Sequence, residues 1–161
     1  DGLFNSSGPL RGRKRDLYEG GLRTPMIVRW PGKIAAESVN DTPWSFADFL
    51  PTAAAIANTN IPVKLDGDNI LPTLLGETQD LGDRFLYWEF FEKGFQQAAR
   101  WRDWKAIIPS PSTPIQLYNL KSDLNESHDV SEQFPEVIDR FKRFFSTART
   151  DSVAFPIKPS N

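Results

Sequence analysis

The residues best suited to chemistry in this sequence are basic side chains interleaved with glycines near its N-terminus. Five of them lie between positions 11 and 23: Arg11, Arg13, Lys14, Arg15 and Arg23. Lysine and arginine side chains bind polyoxygenated anions such as sulfate or phosphate. Glycines let the backbone adopt a positive φ and approach a bound group closely. The pattern therefore indicates an anion-binding loop, with a solvated surface loop as the alternative.

Three runs around these cations form a recognisable pattern. They are Leu-Arg-Gly-Arg-Lys at 10–14, Tyr-Glu-Gly-Gly-Leu-Arg-Thr-Pro at 18–25 and Ile-Val-Arg-Trp-Pro-Gly-Lys-Ile at 27–34. They resemble the C-terminal portion of the formylglycine-dependent sulfatases, the arylsulfatase-type members of the alkaline-phosphatase-like superfamily. The similarity continues in order through residues 44–50, 71–76, 87–90, 103–105 and 117–120. In that family a lysine four residues before the Tyr-Glu-Gly-Gly run contacts the substrate sulfate, so the resemblance implies this catalytic role for Lys14.

Other residues are expected to support or flank Lys14. We expect Arg11, Glu19 and Arg23 to pair internally and hold the loop, which leaves Lys14 free to reach the anion. The turn that follows Tyr-Trp-Glu-Phe would place Phe91 and Glu92 at the rim of the substrate cleft. A histidine often stands at the Phe91 position in the family, so a hydrogen bond from that histidine to substrate is not carried over to this chain.

Neighbouring candidates have less specific interpretations. Arg13 and Arg15 are expected to be solvent or rim charges. His128, the only histidine, is interpreted as an exposed loop residue. Trp88, Trp101 and Trp104 can stack on sugars, but tryptophans in strands more often pack in a core.

The resemblance also implies groups that the sequence does not contain. The family's nucleophile is a formylglycine made from Cys or Ser in a Cys/Ser-x-Pro/Ala-x-Arg motif, and calcium polarises its site. This sequence has no cysteine, and its nearest serine run, 112–116, has Gln where Arg is required. The acidic run 66–69 is typical of a turn and lacks the spacing of a calcium loop. We therefore expect no cofactor or metal ligand in this chain, with calcium and formylglycine in a missing N-terminal part and no activity for the chain alone.

The composition excludes several other classes. The 161 residues are 39% hydrophobic and 25% charged with a net charge of −2, which is ordinary for a globular domain and argues against a nucleic-acid binder. The sequence contains no apolar run long enough to span a bilayer. The start of the sequence has no signal-peptide pattern, and the family leads us to expect a periplasmic or secreted protein.

Periodicity predicts the secondary structure. Residues 1–24 are predicted as loop and Pro25–Trp30 as a buried strand. A helix is predicted from Ser45, with Asp48 in its first turn and either a kink or a restart of the helix at Pro51. The buried face of that helix is predicted to contain Phe46, Phe49, Leu50, Ala53, Ala54 and Ile56. A one-turn helix is expected at 71–75. Four strands follow, at 84–91, 96–102, 104–108 and 116–120, and then a covering helix at 135–147.

These elements give an α/β fold class, α+β for this fragment. We expect residues 1–82 to contribute one strand and one helix to an alkaline-phosphatase-like catalytic domain. Residues 83–161 would form a small C-terminal subdomain, a four-stranded antiparallel sheet with its helix. The expected partners are a sulfated small molecule or glycan and the N-terminal part of the same sulfatase.

The sequence is compatible with three functions. A sulfatase would hydrolyse a sulfate ester of a carbohydrate or aryl alcohol. A phosphonate or phosphodiester hydrolase of the same superfamily would use the same cations, because they bind phosphate equally well. A non-catalytic binding or structural module is the third possibility.

Overall fold

The computed structural model of the chain describes residues 5–92 and 94–156. They divide into two compact units, one made of residues 5–24 and 85–156 and the other of residues 25–84. The boundary predicted between residues 82 and 83 divides domains of the longer parent protein, and it stays a prediction. Across the described ranges, every helix is too short or too polar to cross a membrane.

A four-stranded antiparallel sheet forms the centre of the first unit. Its strands are β1 (Phe85–Phe90), β2 (Gln96–Trp101), β3 (Trp104–Ile108) and β4 (Gln116–Asn119), in the order β1-β2-β3-β4. Consecutive strands are neighbours because short turns join them. The predicted antiparallel meander is confirmed.

One face of the sheet packs against a helix. Because side chains alternate along a strand, β2, β3 and β4 present Ala99, Ala106 and Leu117 to this face, and all three are fully buried. The C-terminal helix (Pro135–Phe145) covers them with Val137, Ile138 and Phe141. Pro135 lies in the first turn of this helix, where its missing N–H costs no hydrogen bond. The covering helix is therefore confirmed.

The opposite face is covered by the N-terminal segment. Ala98, Ile107 and Tyr118 point to this side and pack with Leu17. A single helical turn, α1 (Glu19–Leu22), follows Leu17, so the prediction that residues 1–24 are entirely loop was wrong. Packing against the sheet supplies the stabilisation that a four-residue helix does not have on its own.

The second unit contains three short helical elements. A 3₁₀ turn (Phe46–Asp48) leads into α2 (Phe49–Ile56), and α3 (Leu71–Leu74) follows. With the C-terminal helix as α4, these complete the helices of the described residues. The Ser45 N–H donates to the Asp48 carboxylate at 2.8 Å, in agreement with the predicted helix start. A new helix starts at Phe49 after the 3₁₀ turn, in agreement with the predicted kink or restart at Pro51. Pro51 lies in the first turn of α2, where proline fits a helix.

Two predictions for this unit were wrong. Residues 25–30 pair with no other strand of the described chain, and Ile27 is 95% exposed. A strand needs a neighbour for its backbone groups, and residues 5–92 and 94–156 provide none for this segment. The predicted buried face of α2 is also largely exposed, with Phe46 90% and Phe49 66% accessible.

Polar residues are what α2 and its 3₁₀ turn bury. Asp48 and Thr52 are almost inaccessible. Arg84 Nη1 contacts Asp48 and Asp68, each at 2.9 Å, and the Ile70 N–H donates to Thr52 Oγ1 at 2.9 Å. The acidic run 66–69 is therefore part of a structural ion-pair network, in line with its interpretation as a turn.

Candidate functional site

Lys14 lies on an exposed turn next to the sheet. The turn closes through the Asp16 N–H, which donates to the Arg13 carbonyl at 2.8 Å, and through the Arg13 N–H, which donates to the Asp16 carboxylate at 3.0 Å. The Lys14 side chain is exposed, and its ammonium has no hydrogen bond or ion pair within residues 5–92 and 94–156. The structure thus presents a lysine that is available to an anion.

Two glycines of α1 permit the turn to fold back on the helix. A Cβ at Gly21 would lie 2.1 Å from the Asp16 carbonyl oxygen, and a Cβ at Gly20 would lie 2.4 Å from that of Gly12. Real Cβ atoms do not approach backbone oxygen so closely. The Gly20 N–H also donates to the Arg11 carbonyl at 2.7 Å. The Glu-Gly-Gly run is therefore needed to bring the Lys14 turn against α1.

The three predicted supporting residues make strong contacts, but they do not all pair with one another. Glu19 Oε2 accepts from Arg23 Nε at 2.6 Å, as predicted. Arg11 instead donates to the Glu126 carbonyl at 2.7 Å and to Tyr118 Oη at 3.1 Å. Within the loop, Arg11 Nη2 donates to Tyr18 Oη at 3.1 Å, in agreement with the predicted internal pairing, and Arg11 Nη1 also reaches β4 and the turn that follows it.

Two aromatic residues complete the surroundings of Arg11. Its guanidinium lies 3.9 Å from the centre of the Tyr18 ring, within cation–π range. Tyr18 and Tyr118 both donate to Gln116 Oε1, at 2.8 and 3.1 Å. Burial raises the pKa of Tyr118 to about 12, so that this phenol keeps its proton and can donate.

A buried charge cluster connects the loop to the sheet. Lys105, on β3, is fully buried and lies 2.9 Å from Glu19 Oε1 and 2.8 Å from Glu126 Oε1. Glu126 is also fully buried, and its Oε2 accepts from the Glu19 N–H at 2.6 Å. One ammonium therefore lies between two carboxylates that come from opposite ends of the sequence.

The two carboxyl groups respond differently to this environment. Burial alone would raise the pKa of Glu19, but the nearby Lys105 and Arg23 outweigh it, and the pKa lies below its usual value. Burial raises the pKa of Glu126, and Lys105 only partly offsets that effect. Glu19 therefore has the stronger tendency to stay ionised.

Sequence reasoning missed Lys105 and Glu126. The available signal for Lys105 was its position in an otherwise apolar strand, two residues before Ile107 and so on the same face. Glu126 adopts φ = 53° in a polar turn, and the sequence around it gives no indication of burial. Neither residue could have been predicted to contact the loop that carries Lys14, because that contact depends on which face of the sheet the N-terminal segment covers.

The predicted rim residues lie in the same unit as Lys14. Glu92 Oε2 contacts Arg15 Nε at 2.7 Å, with both side chains about half exposed. The Phe91 ring packs 5.1 Å from that of Phe95. The ion pair brings the turn after β1 next to the Lys14 turn, so that the two predicted parts of the site are neighbours.

The remaining candidates are structural or peripheral. His128 has a side chain that is 84% exposed, as predicted. Trp101 stacks on Phe85 with ring centres 6.2 Å apart, and Trp104 lies 4.8 Å from Phe134. These contacts place both tryptophans in the packing against α4.

The loop, the sheet and the covering helix lie within one continuous match to a protein family. Residues 12–150 match the model of the family described as N-sulphoglucosamine sulphohydrolase, C-terminal. This chain belongs to the sulfatases. The match begins just before Lys14 and includes Glu19, Lys105 and Glu126.

Individual sulfatases give the same result. The chain is 34% identical over 116 residues to the steryl-sulfatase of Mus musculus, and the alignment covers 68% of this chain and 18% of that protein. It is 33% identical over 148 residues to a sulfatase of Formosa agariphila, covering 81% of this chain and 26% of that protein. The crystal structure of Ps i-CgsB in complex with k-i-k-neocarrahexaose superimposes with a TM-score of 0.77 at 32% identity, over 88% of this chain and 32% of that one. The chain thus spans less than a third of the length of each of these three relatives.

The calcium ion and formylglycine implied by the sulfatase resemblance find no matching residues in this chain. Within the described ranges, no three Asp, Glu or His side chains gather in a way that could hold a metal ion. The sequence has no cysteine, and Ser112 does not precede the required arginine.

Proposed function

We propose that this chain is the C-terminal part of an enzyme that hydrolyses a sulfate ester to an alcohol and sulfate, and that Lys14 contacts the sulfate. The supporting observation is the family match over residues 12–150, combined with an exposed Lys14 whose ammonium is not used by any described residue. The loop around Lys14 is tightly held while the lysine itself remains available. This is the arrangement that a fixed anion-binding charge requires.

Lys14 would act through its positive charge. A sulfate ester carries negative charge on its non-bridging oxygens, and more charge develops on oxygen as the bond between sulfur and the alcohol oxygen breaks. A compact ammonium held beside these oxygens stabilises that charge without reorganising during the reaction. The nucleophile and the metal would come from the N-terminal part of the parent protein.

The substrate class is proposed from the relatives and from the rim. One structural relative was crystallised with k-i-k-neocarrahexaose, and one sequence relative is the arylsulfatase A of Homo sapiens. A sulfated carbohydrate or a sulfated aryl alcohol is therefore the proposed substrate. Phe91 and Glu92 would contact the alcohol part, because the Arg15–Glu92 pair places their turn beside Lys14.

The N-terminal part of the same sulfatase is the proposed partner of residues 25–84. This unit exposes large apolar side chains, a pattern that marks an interaction surface. They include Met26 (52% exposed), Ile27 (95%), Phe46 (90%), Phe49 (66%) and Leu50 (54%). A catalytic domain that paired with residues 25–30 and covered α2 would remove them from water.

Sulfate release from sulfated sugars and an aryl sulfate tests the proposal in the full-length parent. Lys14→Ala should lower kcat by roughly 10²- to 10³-fold, as expected for loss of one preorganised charge stabiliser. Lys142→Ala is the matched control, since Lys142 is an exposed lysine on α4 that pairs with Asp139 at 3.1 Å. Full activity of Lys14→Ala would remove Lys14 from the site. Hydrolysis of phosphonates or phosphodiesters without sulfate release would favour the related hydrolase, and no turnover of either class would favour a binding module.

A further inference from the structure

Glu126 contacts both ends of the loop that carries Lys14. At the first end, its backbone carbonyl accepts from Arg11 Nη1 at 2.7 Å, across 115 positions of sequence. At the second end, its carboxylate accepts from the Glu19 N–H at 2.6 Å, across 107 positions. A single residue of a distant turn thus holds the loop at both Arg11 and Glu19.

We propose that Glu126, together with Lys105, is a positioning residue for Lys14, and that the buried cluster exists to set the location of the Lys14 ammonium. Lys105 is needed because an isolated buried carboxylate would be strongly unfavourable. Its ammonium balances Glu126 at 2.8 Å and also contacts Glu19 at 2.9 Å. The three side chains join α1, β3 and the turn after β4 at one point.

Stability alone does not explain such a cluster. A buried ion pair typically contributes no more to stability than apolar side chains of the same volume, because desolvation offsets the attraction. The other face of the same sheet is in fact filled with apolar residues such as Leu117 and Phe141. What the charges add is direction, since hydrogen bonds and ion pairs fix distances that apolar contacts leave adjustable.

The geometry of the loop makes Lys14 sensitive to this cluster. Between its two fixed ends, the loop is closed by the contact of the Gly20 N–H with the Arg11 carbonyl at 2.7 Å and by the turn at 13–16. A displacement at Arg11 or Glu19 is therefore transmitted to Lys14. A misplacement of about 1 Å costs on the order of 100-fold in rate when a group must meet a transition state.

This inference rests on the proposed function, and a double-mutant cycle with Lys14 tests it in the full-length parent. Glu126→Gln keeps the shape of the side chain and an oxygen that can accept from the Glu19 N–H, but it removes the charge that pairs with Lys105 at 2.8 Å. It should lower kcat/KM about 10- to 100-fold, as loss of a supporting contact does. In the Lys14→Ala background the same substitution should have almost no further effect on kcat/KM. If Glu126 only stabilised the fold, the two losses would multiply.

Two further variants make the test independent of folding. Tyr118→Phe removes only the hydroxyl that accepts from Arg11 at 3.1 Å. It should lower kcat/KM less than Glu126→Gln does, and this loss should also disappear in the Lys14→Ala background. Phe141→Leu weakens the core on the opposite face of the sheet, and it should lower the melting temperature at least as much as Glu126→Gln while keeping kcat/KM.

The outcomes separate the inference from the proposed function. Multiplying losses for Glu126→Gln and Lys14→Ala would overturn the inference while leaving Lys14 in its role, as would full activity of Glu126→Gln. A parent that releases no sulfate, or a fully active Lys14→Ala variant, would overturn the proposed function and the inference with it. Losses that appear only in the presence of Lys14 would support both.

Discussion

The backbone N–H of Glu19 donates to the carboxylate of Glu126 at 2.6 Å, although 107 positions separate the two residues. Both carboxyl groups contact the Lys105 ammonium. Their environments nevertheless differ, because Glu19 has a second cation, Arg23, at 2.6 Å. The pKa of Glu19 is therefore lowered and that of Glu126 is raised.

Glu19→Gln and Glu126→Gln should change the pH dependence of stability in opposite directions. The lowered pKa means that ionised Glu19 stabilises the fold above its ordinary value of 4.5 and that this contribution is lost as pH falls through the folded value. The raised pKa means that ionisation of Glu126 disfavours the fold increasingly as pH rises from 4.5. Relative to the unmodified parent, Glu19→Gln should thus become less stable with rising pH and Glu126→Gln more stable. Melting temperatures check this when they are measured from roughly pH 2 to 8, because the Glu19 effect lies below its ordinary pKa of 4.5 and the Glu126 effect above it. Slopes of the same sign would contradict it.

Gly21→Ala should displace the Lys14 turn. Its Cβ would meet the carbonyl oxygens of Asp16 at 2.1 Å and Arg13 at 2.6 Å, and overpacking of this kind costs roughly 1–3 kcal/mol. Both the melting temperature and the sulfate release of the parent should fall. Gly8→Asn is the control, because Gly8 has open space around it and φ = 55°, a conformation that asparagine tolerates. Equal effects of the two substitutions would show that the close approach is not important.

Ile27→Asp tests whether residues 25–30 are covered in the parent. In this chain Ile27 is 95% exposed, and a charge there would have little effect. If a neighbouring strand of the parent buries this position, an unpaired carboxylate becomes strongly destabilising, and the melting temperature of the parent should drop by several degrees or more. Val153→Asp is the control, because Val153 is fully exposed in this chain, and it should leave the melting temperature of the parent unchanged. A parent that tolerates Ile27→Asp would argue against the proposed partner surface.

Glu92→Ala should affect substrate binding more than stability. The Arg15–Glu92 pair is about half exposed on both sides, and such pairs contribute at most about 1 kcal/mol. Its loss would free the turn after β1, so KM should rise with kcat nearly constant and the melting temperature should hardly change. Asp139→Ala removes an exposed ion pair on α4 and should leave KM unaltered. An equal KM change in both variants would remove Glu92 from the substrate rim.

Local patterns predicted the C-terminal sheet and helix. The strand runs alternate and are bounded by turn residues, and Val137, Ile138 and Phe141 recur at helical spacing, so the information is contained within each segment. The strand at 25–30 could not be judged in the same way, because the pairing of an extended run depends on a neighbouring strand, and the described part of the chain offers none. For the same reason Phe46 and Phe49 are exposed although their spacing is typical of a buried face.

The candidate site could be predicted only in part. The resemblance identified Lys14, and charge pairing identified the Glu19–Arg23 contact. The partners of Arg11 and the burial of Lys105 depend on which face of the sheet receives the N-terminal segment. That choice follows from the packing of Leu17 against Ala98, Ile107 and Tyr118, which no local pattern reveals.

The contact between Glu19 and Glu126 also has a consequence for protein synthesis. A nascent chain emerges from the ribosome with its N-terminus first, so the Lys14 loop is made long before the turn that holds it. The loop can take its final shape only after residue 126 has left the ribosomal tunnel. The Lys14 loop therefore reaches its final position only after more than 100 further residues have been synthesised, since 107 positions separate Glu19 from Glu126.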